Sequence, residues 1–415
     1  MLRSRAPLPA AHERHRRGSP GLRRVNLALF VAGLTTFMAL YSTQALLPVL
    51  SQVFRVSPTT SSLLVSLTTG TLALAVIPVS ALSERFGRTR VMLVSSAAAV
   101  PLGLLIPLAP SFPALAGLRA LQGVALAGVP AVAMAYLADE VHPEALGGAM
   151  GRYIAGNTVG GLAGRLLPGL VTDLAGWRWA LAATATASLL LTVAFWALLP
   201  RSRFFTPSRV GGGALLRHLA DPGMRRLYLA AFALMSTFVT VYNYLGYRLI
   251  AAPFGLPQAV VALVFVMYLA GTFSSPAAGS LADRIGRRPV LLGACLVTAA
   301  GLALTLPASL PVVAAGLLVM TTGFFAAHSV ASGWVGRRAA GGRAHAAGLY
   351  LFAYYLGSSV GGSAGGFAYE HGRWPATVAY GLVLLSVALV AALGVPAGER
   401  GRARSREVSP CGEEG

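Results

Sequence analysis

The sequence predicts an all-α polytopic membrane protein with twelve transmembrane helices in two six-helix bundles, and three observations carry that prediction. First, 55% of its 415 residues are hydrophobic and 11% are charged, with a mean hydropathy of +0.68, whereas soluble domains average about 25% charged residues. Second, twelve apolar stretches reach the ~20 residues a helix needs to cross a hydrocarbon core about 30 Å thick. Third, the chain resembles itself: "TFMALY" at 36–41 recurs as "TFVTVY" at 237–242, and "GGLAG" at 160–164 as "GGSAG" at 361–365. Both pairs share one offset, as expected of a duplicated six-helix unit. A barrel is excluded, because barrel strands alternate over about ten residues and these stretches do not.

In chain order, a basic tail (1–24) leads into a first span near 25–48. Its apolar run is too long for a signal peptide, so it is read as an uncleaved helix. Spans near 60–80, 91–109, 113–136, 146–169 and 177–199 complete the first bundle, 25–199. A linker rich in Arg, Gly and Pro covers 200–226. The second bundle, 227–395, holds spans near 227–248, 258–280, 290–307, 311–334, 344–367 and 375–395. Residues 289–336 contain no charged side chain, yet "LPASLP" at 306–311 supplies two prolines for a tight turn and divides that run in two. The tails, including 396–415, are expected to be disordered.

All 33 basic residues are Arg, and the net charge is +20. Nucleic-acid binding would need them on one face of a soluble fold, and they fall instead in clusters between apolar runs. With the N-terminus inside, tails, loops and span edges facing the cytoplasm hold 27 of them and those facing outward hold four. The positive-inside rule then places both termini in the cytoplasm and the chain in the cell inner membrane. Cys295 and Cys411 do not suggest a disulfide framework. No metal-ligand cluster, phosphate-binding loop or nucleotide-binding domain is present, so neither an enzyme nor a cofactor is indicated.

"SALSERFGRT" at 80–89 and "GSLADRIGRR" at 279–288 lie on the turn between the second and third spans of each half. Here the chain resembles the major facilitator superfamily, whose signature in this loop the second copy matches through Gly279, Leu281, Asp283, Arg284, Gly286, Arg287 and Arg288. The first copy keeps Leu82, Arg85, Gly87 and Arg88 but has Ser80 for Gly and Glu84 for Asp. The resemblance implies the major facilitator fold and a conformational latch, whose acid docks near a helix start in the other half while its arginines pair with cytoplasmic carboxylates. "RALQG", Arg119 to Gly123, resembles the fourth-helix motif associated with proton-coupled members. Gly156, Gly160 and Gly164 fit the fifth-helix antiporter motif, but Gly161 replaces its Pro and Arg165 its last Gly. "LYSTQALLP" looks like the opening of drug and arabinose efflux permeases, although the Asp that many drug:proton antiporters carry in this helix is missing.

An Arg inside a span faces a cavity or a partner by default. Arg119, with Gln122 one turn away, either does so or bonds to carbonyls of a broken helix. Arg165, near Asn157, either points into the cavity or belongs to an external gate. The substrate path is expected between the first and seventh spans, at Tyr41 and Gln44 facing Tyr242 and Asn243; Tyr244 and Tyr247 could instead form an interfacial belt. No Asp or Glu occupies the middle of any span, so proton coupling would fall to Arg119 or His328, the latter equally readable as a packing group. Two buried arginines without a central acid suggest an anionic substrate. The resulting expectation is a monomeric secondary transporter exporting drugs or small organic metabolites by proton-coupled alternating access. A sugar or organic-anion permease is the alternative within transport. A transport-inactive sensor is the alternative outside it, and the duplicated latch argues against that one.

Overall fold

The computed structural model describes residues 14–205, 213–339 and 343–395. The C-terminal tail with Cys411, the first thirteen residues and part of the linker lie outside them. Among the described residues ten helices are long and apolar enough to cross a membrane: α1 Pro20–Phe54, α2 Pro58–Phe86, α3 Arg88–Leu108, α4 Phe112–Glu140, α5 Pro143–Leu198, α7 Pro222–Ile250, α8 Gln258–Ile285, α9 Arg287–Leu304, α10 Leu310–Arg338 and α11 His345–Leu393. A short helix, α6 Gly213–Ala220, precedes α7.

The helices start where the sequence caps them. Ser19, Ser57 and Asp221 accept hydrogen bonds from backbone N–H groups of the first turn, each followed by a proline whose missing donor is not needed there. Gly87 and Gly286 separate α2 from α3 and α8 from α9 with φ of +91° and +100°, a region that side chains with a Cβ rarely adopt. These are the two motif glycines. α1 loosens at Ser42–Thr43, passes through a 3₁₀ turn at Gln44–Leu46 and resumes at Leu47 beside Pro48.

Ten long helices replace twelve expected spans because two pairs are joined without a loop. α5 runs for 56 residues, which as a straight helix would measure about 84 Å. It does not run straight. Gly176, at φ 82°, reverses it: Glu140, just before α5, accepts hydrogen bonds from Ser202, Arg203 and Phe204, just after it. α11 breaks at Gly372 and Arg373. Its first arm runs alongside α7 in the same direction, Gly357 at Phe232 and Gly365 at Thr240, and its second returns, with Thr237 bonded to Gly381 and Arg226 to Gly394.

The repeat extends to packing. A Cβ at Gly156, Gly160 or Gly164 would strike the backbone of Phe30, Leu34 or Met38 on α1. In the second half a Cβ at Gly357 would strike the backbone of Phe232 on α7, and one at Gly361 or Gly365 the side chain of Ser236 or Thr240. Small residues every fourth position let helices without a hydrophobic driving force between them pack backbone to backbone. Buried apolar clusters divide along the same line: one gathers residues from Met224 onward plus Ala45, and the other two gather the first half plus Tyr355.

Candidate functional site

Between the halves lies a cavity of about 370 Å³. α1 contributes Phe37 and Tyr41; α5 contributes Tyr153, Asn157 and Arg165; α7 and α8 contribute Phe238 and Tyr268; α10 and α11 contribute His328, Tyr350 and Tyr354. Its lining includes no Asp or Glu. Aromatic rings make large, stiff walls with polar rims, suited to a flat amphipathic solute.

Arg165 roofs this space. Its guanidinium lies 3.8 Å from the Tyr41 ring centre and 4.6 Å from that of Tyr268. Nε donates to Gln44 Oε1 at 2.6 Å and a terminal nitrogen to Gly161 O. The absence of side chains at Gly161 and Gly164 is what lets a cation fold back along a helix packed this tightly against α1. Gln44 Nε2 in turn donates to Asn243 Oδ1 at 2.7 Å, so Arg165, Gln44 and Asn243 form one buried chain from the first half to the second. Tyr242 stands beside it, bonded to Thr321 rather than facing the cavity.

The other described hydrogen bonds between the halves fall toward the same end, away from the Gly87 and Gly286 turns. Tyr247 OH donates to Leu47 O at 2.9 Å, Gln258 to Ala45 O, and Ser363 pairs with Ser66 at 2.7 Å. Two carboxylates do the same job at matched places. Asp173, at the fold of α5, accepts from the N–H of Ala259 in the first turn of α8 at 2.8 Å; Glu370, at the fold of α11, accepts from Thr59 N in the first turn of α2 at 2.9 Å. An anion at a helix N-terminus meets unpaired N–H groups and the positive end of the dipole. Tyr244 and Tyr247 are interior parts of this closure, Tyr244 bonding to Gly362 O, and do not form an interfacial belt.

At the turn end the motif residues pair within their own halves. Arg88 holds Glu84 at 2.7 Å, Asp139 at 3.3 Å and Ser83 Oγ at 2.8 Å. Asp283 is held by Arg287 at 3.1 Å and Arg337 at 2.9 Å. Arg85 and Arg284 are exposed. The expected docking of each acid onto the opposite half is therefore corrected for this conformation: among the described residues, every ion pair joins two groups of one half. The physical reason is that the described hydrogen bonds between the halves lie at the other end, so nothing described brings the halves into docking range here, and each acid is neutralised by arginines of its own half.

Arg119 and Gln122 are also corrected, since neither lines the cavity. Arg119 is fully buried inside the first half and donates to Ala39 O at 2.9 Å, Leu64 O at 3.1 Å, Leu40 O and Gln122 Oε1. Ala39 and Leu40 end the first stretch of α1, where carbonyls lose their helical partners, so Arg119 is the clamp on that break. His328 does line the cavity, with Nδ1 3.0 Å from Tyr350 OH and its ring 4.7 Å from that of Tyr354. Sequence reasoning missed Tyr153, Tyr268, Tyr350, Tyr354 and Tyr355. Their signal was present as tyrosines inside otherwise apolar spans, where each hydroxyl needs a partner or water. Among the described residues no three His, Cys, Asp or Glu side chains gather as a metal site would need.

A family model described as Major Facilitator Superfamily matches residues 29–267 and 227–412. The chain is 44% identical over 379 residues to the inner membrane transport protein YnfM of Escherichia coli K12, spanning 90% of this chain and 91% of that one. It is 40% identical over 378 residues to the uncharacterized MFS-type transporter YybF of Bacillus subtilis 168, spanning 90% and 94%. Among solved structures, a bacterial homolog of the human lysosomal transporter Spinster, in an inward-facing and occupied conformation, superposes with a TM-score of 0.70 at 18% identity over 91% of this chain and 95% of that one.

Proposed function

The chain belongs to the major facilitator superfamily, a family of membrane transporters, and we propose that it exports small amphipathic organic solutes by alternating access. In this reading α5 and α11 each cross twice, giving twelve crossings in two six-helix bundles. The arginine distribution puts both termini in the cytoplasm and the Gly87 and Gly286 turns with them. The end closed by Gln44–Asn243 then faces outward, and the conformation is inward-facing in the inner membrane. Export of drug-like molecules rests on the likeness of "LYSTQALLP" to efflux permeases. Coupling to protons falls to His328, because it is an imidazole set among the tyrosines of the cavity, while Arg119 is committed to backbone carbonyls.

The observation that carries this reading is the asymmetry of closure: hydrogen bonds tie the halves together at one end, while the latch residues at the other pair within halves. A reversible cross-link tests it. Thr59→Cys with Glu370→Cys, in a chain lacking Cys411, should form a disulfide across the outer end. Flux of small aromatic solutes into proteoliposomes should stop on oxidation and return on reduction. Flux indifferent to the cross-link would remove alternating access from consideration.

A further inference from the structure

We propose that the solute is an organic carboxylate on a flat, aromatic-sized body, and that its carboxylate replaces Gln44 on Arg165, so that binding itself loosens the outer closure. The proposal deepens the transport reading and rests on it.

Charge is the first argument. Arg165 is 2% exposed, and among the described residues no carboxylate is its partner. Burying a cation without a counter-ion is unfavourable unless other acceptors compensate. The same half shows how this fold compensates a guanidinium with no other duty: Arg119 receives three carbonyls and a side-chain amide oxygen. Arg165 receives one carbonyl and one amide oxygen, and the rest of its surroundings are the Tyr41 hydroxyl and ring faces. A guanidinium fork matches a carboxylate in a two-bond geometry that no neutral amide can equal in strength.

Shape and a second polar point agree. Phe238, Tyr268 and Phe325 pack on one another in one cluster along the cavity, presenting aromatic walls on which a flat ring can pack. Tyr268 is buried beside the guanidinium of Arg165, and its hydroxyl has no hydrogen-bond partner among the described residues.

The coupling follows from a shared partner. Gln44 gives its oxygen to Arg165 and its nitrogen to Asn243. A carboxylate that displaces the oxygen leaves Gln44 held at one point, and Asn243 Nδ2 is already unpartnered. Nothing else in the chain from Arg165 to the second half then holds the amides in line.

The test uses the full-length protein in lipid nanodiscs and a matched panel: benzoate, 4-hydroxyphenylacetate and 2-naphthoate, each with its primary amide and its amine. Binding is read by thermal shift and calorimetry. Carboxylates should bind at least about tenfold more tightly than their amides and amines, and Arg165→Gln should erase that preference. Gln44→Ala, which removes the competitor but keeps the cation, should tighten carboxylate binding several-fold and leave the amides unchanged. Because Gln44→Ala keeps Arg165, it answers even if Arg165→Gln fails to fold. Amides or amines binding as well as carboxylates, no carboxylate binding at 10 mM (roughly the weakest affinity a buried ion pair would give), or Gln44→Ala weakening the carboxylates would each overturn the proposal. The cross-link result stands apart from all three: flux that stops on oxidation with no charge preference sinks this inference and spares the transport reading.

Discussion

Arg119 and Arg165 are guanidiniums buried in the same half of the molecule, at 0% and 2% exposure, and they illustrate opposite uses of one expensive group. Arg119 sits where α1 breaks, supplies the donor that the carbonyl of Leu40 lacks and shares that of Ala39 with Ser42. Arg165 sits where two halves meet, and its partners are a single carbonyl, a movable amide and aromatic faces. What separates a structural cation from a working one is thus neither burial nor residue type. It is whether the fold supplies enough fixed acceptors. Fixed backbone oxygens cannot be exchanged for a ligand, whereas a side-chain amide can.

The largest expected effect breaks this comparison if it fails. Arg119→Met strands the Leu40 carbonyl and the Gln122 oxygen in an apolar interior, while Ala39 O keeps Ser42 and Leu64 O keeps Thr68; at about 1–3 kcal/mol for each buried group left unpaired, the loss should exceed about 2 kcal/mol. Arg165→Met removes a cation the fold does not fully compensate, so its effect should stay within about 1 kcal/mol. Thermal unfolding in detergent, with monodispersity by size exclusion, separates the two. Equal losses would mean that Arg165 is as structural as Arg119.

How far the sequence carried each conclusion follows the same physics. The spans were legible because a run of about 20 apolar residues has few other uses, and the turns at Gly87 and Gly286 because their pattern occurs twice. The two unlooped reversals were not, since Gly176 and the Gly372–Arg373 pair change the chain's direction through dihedral angles that polarity does not record. Arg165 and Gln44 were legible as polar groups on span faces. Arg119 was legible as a cation needing a partner, but that partner is backbone, and carbonyls look alike in any sequence. The cavity tyrosines of α8 and α11 passed unnoticed because a single hydroxyl scarcely alters the hydropathy of a span.

A second comparison, between the two halves, yields a smaller effect. Asp173 and Glu370 make the same contact at equivalent places, each worth about 0.3–1 kcal/mol as an anion at a helix N-terminus. Asp173→Asn and Glu370→Gln should each raise the outward-open population by about two- to fivefold. The readout is the rate at which an impermeant maleimide labels Ala45→Cys from the outside. The double variant should approach the product of the two. A response from one half alone would show that the duplicated caps have diverged in use.

The smallest effect lies outside the membrane, at the cap of α7. Burial pushes the Asp221 carboxyl up, but the hydrogen bonds from Arg338 and from the Gly223 and Met224 N–H groups outweigh it, and the carboxyl is held below its ordinary value. A carboxyl lower in the folded than in the unfolded chain contributes stability above its unfolded pKa of about 3.9. That contribution disappears as pH falls through the folded value. Thermal stability should therefore decline on the acid side of pH 4 by slightly more in the parent than in Asp221→Asn, which has no proton to take up, while at pH 7 the variant should be the less stable of the two. The start of α7 and the end of α10 are joined by this pair alone among the described ion pairs. A variant that matched the parent at both pH values would mean that packing, and not the Asp221–Arg338 pair, sets the spacing of those helices.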